Sequence, residues 1–151
     1  MSDTPDYGRL YQGVIPYIAV ENAIAAIEFY RKAFGAKLHG EAMKDEQGVV
    51  MNATLEINGG IIMLMDHMDN MGSRKAVEGG HPFTMQIVTD NGQQWFDRAV
   101  DAGCTVTMPF APQFWGDTYG RLLDPFGIEW AVNEPSAESM AQTEALAAAA
   151  R

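Results

Sequence analysis

The sequence predicts an α+β protein built from two βαβββ modules in tandem. Three observations carry that expectation. A strand-like segment leading into an amphipathic helix with a glycine stop occurs twice: Asn91 lies 69 residues after Asn22, and Gly103 lies 68 after Gly35. Each helix is followed by three short apolar segments divided by turn signals. Neither copy is long enough to close a core alone, so two copies in 151 residues imply modules that pair around a shared sheet.

In chain order, residues 1–13 lack periodic signal and read as a tail, with Tyr7 and Tyr11 laid on a neighbour. Val14 to Val20 reads as a strand, in which Pro16 points to a sheet edge or a first position rather than the sheet centre. Asn22 caps a helix over Ala23 to Phe34, with Ile24, Ile27, Tyr30 and Phe34 on one stripe and Gly35 as its left-handed stop. Strands follow at Lys37 to Lys44, Val49 to Ile57 and Ile61 to Met65. Asp45-Glu46-Gln47-Gly48 and Asn58-Gly59-Gly60 turn the chain between them. Residues 67–82 lose the pattern and form a connector between modules at 14–66 and 83–134.

The second module opens with a strand at Phe83 to Thr89. Asn91 with Gln94 forms a capping box for a helix over Gly92 to Ala102, which carries Trp95, Phe96, Ala99 and Val100. Strands at Thr105 to Met108, Tyr119 to Leu123 and Ile128 to Val132 complete it. Asp124-Pro125-Phe126-Gly127 joins the last two as a type I turn, with Asp first, Pro second and Gly fourth. In residues 135–151, Ser136 caps a terminal helix of strong helix formers, frayed or packed against a neighbour.

Apolar residues at 47% and charged residues at 20% are ordinary globular values. Twenty acidic against ten basic residues give a net charge of −10, which argues against nucleic acid or an anionic membrane as partner. Cys104 is the single cysteine, so no intramolecular disulfide forms and a reducing cytoplasm fits. MSDTPDYGRLYQ has neither the basic nor the apolar region of a secretory signal, and no apolar run reaches membrane-spanning length. A cytoplasmic protein is expected.

The tandem βαβββ pattern, with FYRKAFGA closing the first helix, Ala99 to Val106 ending the second and FWGDTYGRLLDPFG before the last strand, resembles the glyoxalase, bleomycin-resistance and extradiol-dioxygenase (vicinal oxygen chelate) superfamily. It looks closest to the PhnB-like branch. The resemblance covers Val14 to Asn133 and implies a mixed sheet curled around a ligand cavity, with helices outside. Metal-dependent isomerases, lyases and dioxygenases share that fold with metal-free drug-binding proteins, so the fold alone selects no activity.

Strand parity extends the implication to residues. Met85 and Ile87 would pack on the helix, leaving Thr84, Gln86 and Val88 toward the cavity, and Ile15, Tyr17 and Ala19 match them in the first module. Superfamily enzymes carry metal ligands at positions that fall here on Ile15, Met63, Thr84 and Ala131. None is an imidazole, carboxylate or thiolate, so the resemblance implies no metal and no other cofactor. A relocated site using His67 with Asp66 or Glu129 has no supporting spacing; His39, His67 and His81 read as surface or loop histidines.

Glu129 shares the parity of Ala131 and should project inward beside Tyr17, Thr84 and Gln86. Among Met63, Met65 and aromatic rings its carboxyl would be pushed up, as suits a metal-free general base or an amine anchor; a solvated rim residue is the competing reading. Trp115, Asp117, Tyr119 and Arg121 suit a mixed wall of indole face and guanidinium, against a loop-bracing Asp117–Arg121 pair. Cys104 has no base nearby in sequence and reads as core.

Two classes of function follow. One is a homodimeric protein that binds a small, partly aromatic or cationic molecule without transforming it. The other is a lyase, isomerase or dioxygenase using a relocated metal or Glu129. Nothing in the sequence supports methyl transfer: no Gly-rich loop follows a strand.

Overall fold

The computed structural model describes residues 7–69 and 80–151, and the chain divides into two compact units, Met1–Val77 and Glu78–Arg151. Most of the expected connector lies outside the described residues. In the first unit the order is α1 (Tyr7–Leu10), β1 (Tyr17–Val20), α2 (Ala23–Phe34), β2 (Lys37–Lys44), β3 (Val50–Ile57) and β4 (Gly60–Asp66). The second repeats it with β5 (Met85–Val88), α3 (Gly92–Ala102), β6 (Thr105–Pro112), β7 (Thr118–Leu123) and β8 (Glu129–Glu134), and ends in α4 (Ala137–Ala149).

Both units hold the same four-stranded mixed sheet. The strand orders are β1-β4-β3-β2 and β5-β8-β7-β6; the first strand runs parallel to the last, and the other pairs are antiparallel. One helix covers one face of each sheet. Ile18, Val20, Leu55 and Leu64 pack with Tyr30 and Phe34 of α2, while Ile87, Leu122, Trp130 and Val132 pack with Phe96 of α3. Alternate strand residues therefore point to the opposite face of the sheet.

Each helix start is fixed by the carboxylate that ends the last strand of its unit. Asp66 Oδ1 accepts from Ala23 N at 2.7 Å, and Glu134 Oε1 accepts from Gly92 N at 2.8 Å. A carboxylate at a helix N-terminus satisfies an orphan N–H and meets the positive end of the helix dipole. Asp66 Oδ2 also accepts from Val50 N, tying the helix to β3. Asn22 caps α2 as expected, through Ala25 N. Asn91 does not cap α3: its amide bonds to the Gln94 side chain, and Glu134 takes the capping role.

Other sequence expectations shift as well. Residues Tyr7–Leu10 are helical rather than tail, and Tyr11 is exposed. β1 begins at Tyr17, leaving Val14 99% exposed and Ile15 outside the strand; Thr84 likewise precedes β5. β6 runs on to Pro112, because an edge strand with two register shifts tolerates Pro109 and Pro112. Ile24 lies off the buried stripe of α2, where Ala23, Ala26 and Ala33 join Ile27, Tyr30 and Phe34. The Asp124 turn forms as expected. Asp124 Oδ1 accepts from Phe126 N and Ile128 N, and Oδ2 accepts from Trp130 Nε1 at 2.9 Å, locking the turn to the core.

Candidate functional site

The open face of the second sheet, turned away from α3, is assembled by register. Gln86 on β5 sits beside Ala131 on β8, which sits beside Arg121 on β7, which pairs with Met108 on β6. One step along, Tyr119 lies opposite Asn133. Ala131 is fully buried between long neighbours, so its small side chain leaves Arg121 room to cross the sheet.

Arg121 crosses to reach Glu129 and Thr84. Its Nη2 lies 2.6 Å from Glu129 Oε1 and donates to Thr84 Oγ1 at 2.6 Å, while the Thr84 hydroxyl donates to the same Glu129 oxygen at 2.8 Å. Three side chains from three segments thus close a ring. Arg121 Nε is buried without a hydrogen-bond partner, so the guanidinium engages through a single nitrogen rather than as a fork. The Arg121 and Glu129 side chains are 37% and 30% exposed, which keeps the pair within reach of solvent.

These contacts overturn one sequence expectation. Within its own unit Glu129 meets a guanidinium and a hydroxyl. Arg121 does not pair with Asp117. Asp117 instead accepts from Asn133 Nδ2, Ser136 N and Ser139 Oγ, which binds the Gln113–Asp117 turn to β8 and to the first turn of α4. Those bonds, the Ser139 hydroxyl foremost, hold its carboxyl below the usual aspartate value. The rigid turn presents Phe114, 97% exposed, and Trp115, which stands edge-on to Phe114 and to Tyr119 with centroids 5.0 and 5.7 Å apart.

Tyr17 and Met63 belong to the first unit, where they are register partners on β1 and β4. Tyr17 donates its hydroxyl to the Met51 carbonyl at 2.6 Å, and Met63 Sδ accepts from Asn52 Nδ2. Within the second unit Thr84 and Arg121 contact Glu129, and Gln86 stands two strands from Arg121.

The histidines have individual settings. His39 is buried rather than at the surface, with Nε2 2.9 Å from Glu56 Oε2. His67 Nε2 lies 2.8 Å from Asp69 Oδ1, and His81 stacks on Phe83. Both oxygens of Asp66 accept from backbone N–H groups, Oδ1 from Ala23 and Oδ2 from Val50. Cys104 is buried, and burial followed by the charge of Asp124 pushes its thiol up to about 12.

The family model of the Glyoxalase/Bleomycin resistance protein/Dioxygenase superfamily matches residues 14–132. The chain belongs to that superfamily. An uncharacterised protein of Mycobacterium bovis is 37% identical over 127 residues, covering 82% of this chain and 83% of its own length. Two solved structures share the fold. One is the PhnB protein of Bacillus cereus, a putative 3-demethylubiquinone-9 3-methyltransferase, with TM-score 0.63, 18% identity and coverage of 82% of this chain and 100% of that one. The other is the fosfomycin resistance protein FosX of Mesorhizobium loti, with TM-score 0.62, 8% identity and coverage of 86% and 97%.

Within the superfamily fold the four positions implied as metal-bearing do not suit a divalent ion. Ile15 and Ala131 have no donor atom, Met63 offers a thioether, and the Thr84 hydroxyl is already engaged. A guanidinium stands beside Thr84 and Ala131, paired with the Glu129 carboxylate. Among the described residues, no group of three or more His, Cys, Asp or Glu side chains gathers that could hold a metal ion. No helix among the described residues is long and apolar enough to cross a membrane.

Sequence reasoning placed Glu129 beside Thr84 but did not join Arg121 to them. The available signal was parity: Arg121 and Glu129 are eight residues apart across a four-residue turn, which places them diagonally on one face of a hairpin. The carboxylate caps at Asp66 and Glu134 were missed too, although both end a last strand 68 residues apart.

Proposed function

We propose that this protein binds a small molecule on the open face of its second unit and does so without a divalent metal ion. The single observation that carries this reading is the Arg121–Glu129–Thr84 ring, which puts a fixed guanidinium beside the positions where the superfamily's enzymes place metal ligands. Gln86 adds an exposed amide, and Trp115, with Tyr119, adds an aromatic wall held in place by Asp117. Binding therefore draws on polar side chains and ring surface, the usual composition of a ligand site. The reading also takes the working unit as a homodimer, which sedimentation would report as about twice the 16.5 kDa of one chain.

Screening chelator-treated protein against a small-molecule library, followed by Trp fluorescence, tests the proposal. Hits should bind equally well with and without chelator and should weaken at least about tenfold in Arg121→Met, the loss expected when a polar contact is removed. Hits that bind only after Zn²⁺, Mn²⁺ or Ni²⁺ is restored would show that a metal carries recognition. The enzymatic alternative rests on Glu129. Unchanged turnover of an established substrate in Glu129→Gln would remove it.

A further inference from the structure

The ring at Glu129 also specifies the kind of chemical group it receives, given the binding reading above. Glu129 uses Oε1 for both of its contacts, and Arg121 uses Nη2 for both of its own. Among the described residues neither Glu129 Oε2 nor Arg121 Nη1 has a hydrogen-bond partner, and both side chains are partly exposed. Each free atom shares a planar group with an engaged one, so a free acceptor and a free donor belong to the two groups that meet at the 2.6 Å contact. The formal charges of the pair cancel.

We infer that the site selects an uncharged planar group with a donor next to an acceptor, a carboxamide or lactam edge, carried on an aromatic ring. A carboxylate would satisfy Nη1 but face Oε2, acceptor against acceptor and charge against charge. An amidinium would satisfy Oε2 but face Nη1, with the converse conflict. An amide edge meets both atoms without leaving a desolvated group unpaired, and that difference is the usual source of strong polar discrimination. The ring requirement comes from the neighbourhood. Tyr119 lies two residues from Arg121 on the same strand face, and Trp115 meets Tyr119 edge-on 5.7 Å away.

Benzamide, benzoate and benzamidinium form a nearly isosteric neutral, anionic and cationic trio that tests this directly. Binding to the full chain would be followed by NMR through the Arg121 Nε–H and Trp115 Nε1–H resonances. Benzamide should bind about tenfold more tightly than either ion, the ratio set by one unpaired buried polar group. Removing the acidic member in Glu129→Gln should move the preference to benzoate, and removing the basic member in Arg121→Met should move it to benzamidinium. Urea midpoints would establish that each variant is folded; if one is not, the trio on the unmodified protein still decides. Tightest binding of benzoate or benzamidinium by the unmodified protein would overturn the inference while leaving the binding reading intact. Failure of all three to perturb either resonance at millimolar concentration would overturn it too, and the library screen would then decide the binding reading alone.

Discussion

Asp117 holds three donors at once, and its titration has a sign that can be checked. Because its folded pKa is lowered, first by the Ser139 hydroxyl and then by Ser136 N–H and the Asn133 amide, its contribution is complete above the ordinary aspartate value near pH 4 and is lost as pH falls through the folded value. Hydrogen exchange at the Ser136 and Ser139 amides should accelerate over that acidic window, relative to reference amides, in the natural protein. In Asp117→Asn the acidic step should vanish. Cys104 offers a second test at this scale. A buried thiol with its pKa near 12 should resist Ellman's reagent at pH 8 until the chain is unfolded, whereas rapid native labelling would show that the strand after Gly103 opens. Parity placed Glu129 and Ala131 on one face from sequence alone. The partner of Glu129 was not legible, because which of two long side chains crosses a sheet depends on the size of the residue between them, here Ala131.

The elements repeat their devices more faithfully than their residues. Asp66 and Glu134 cap α2 and α3 from the ends of β4 and β8, so Asp66→Ala should cost about 1–2 kcal/mol in urea unfolding, the range of a lost helix cap. A change below a few tenths would show that water replaces the carboxylate without penalty. Gly120 has a different requirement: a Cβ there would lie 2.7 Å from the Phe110 Cα and 2.7 Å from the Phe96 ring. Gly120→Ala should therefore destabilise by about 1–3 kcal/mol through overpacking between β7, β6 and α3. The helix spans, the glycine stops and the Asp124 turn could be read from sequence because each rests on local chemistry. Strand ends could not. Pro112 belongs to β6 only because that strand is at the sheet edge, and Asn91 fails to cap α3 only because Glu134, 43 residues later, supplies a better acceptor.

Across the whole molecule, two copies of one four-stranded sheet account for the superfamily match over residues 14–132 and for the fold shared with PhnB and FosX. The tandem organisation was readable because the copies keep the same spacing of caps and stops. The four positions implied for a metal carry Ile, Met, Thr and Ala, and a guanidinium stands beside two of them, which supports the proposed metal-free binding. Calorimetric titration of chelator-treated protein with Zn²⁺, Ni²⁺ and Mn²⁺, joined to elemental analysis of the protein as purified, measures that claim most directly. The expected result is no stoichiometric ion and no heat of specific binding, with ligand affinity unchanged by chelation. One tightly held divalent ion per site, whose removal abolishes binding or turnover, would contradict the account.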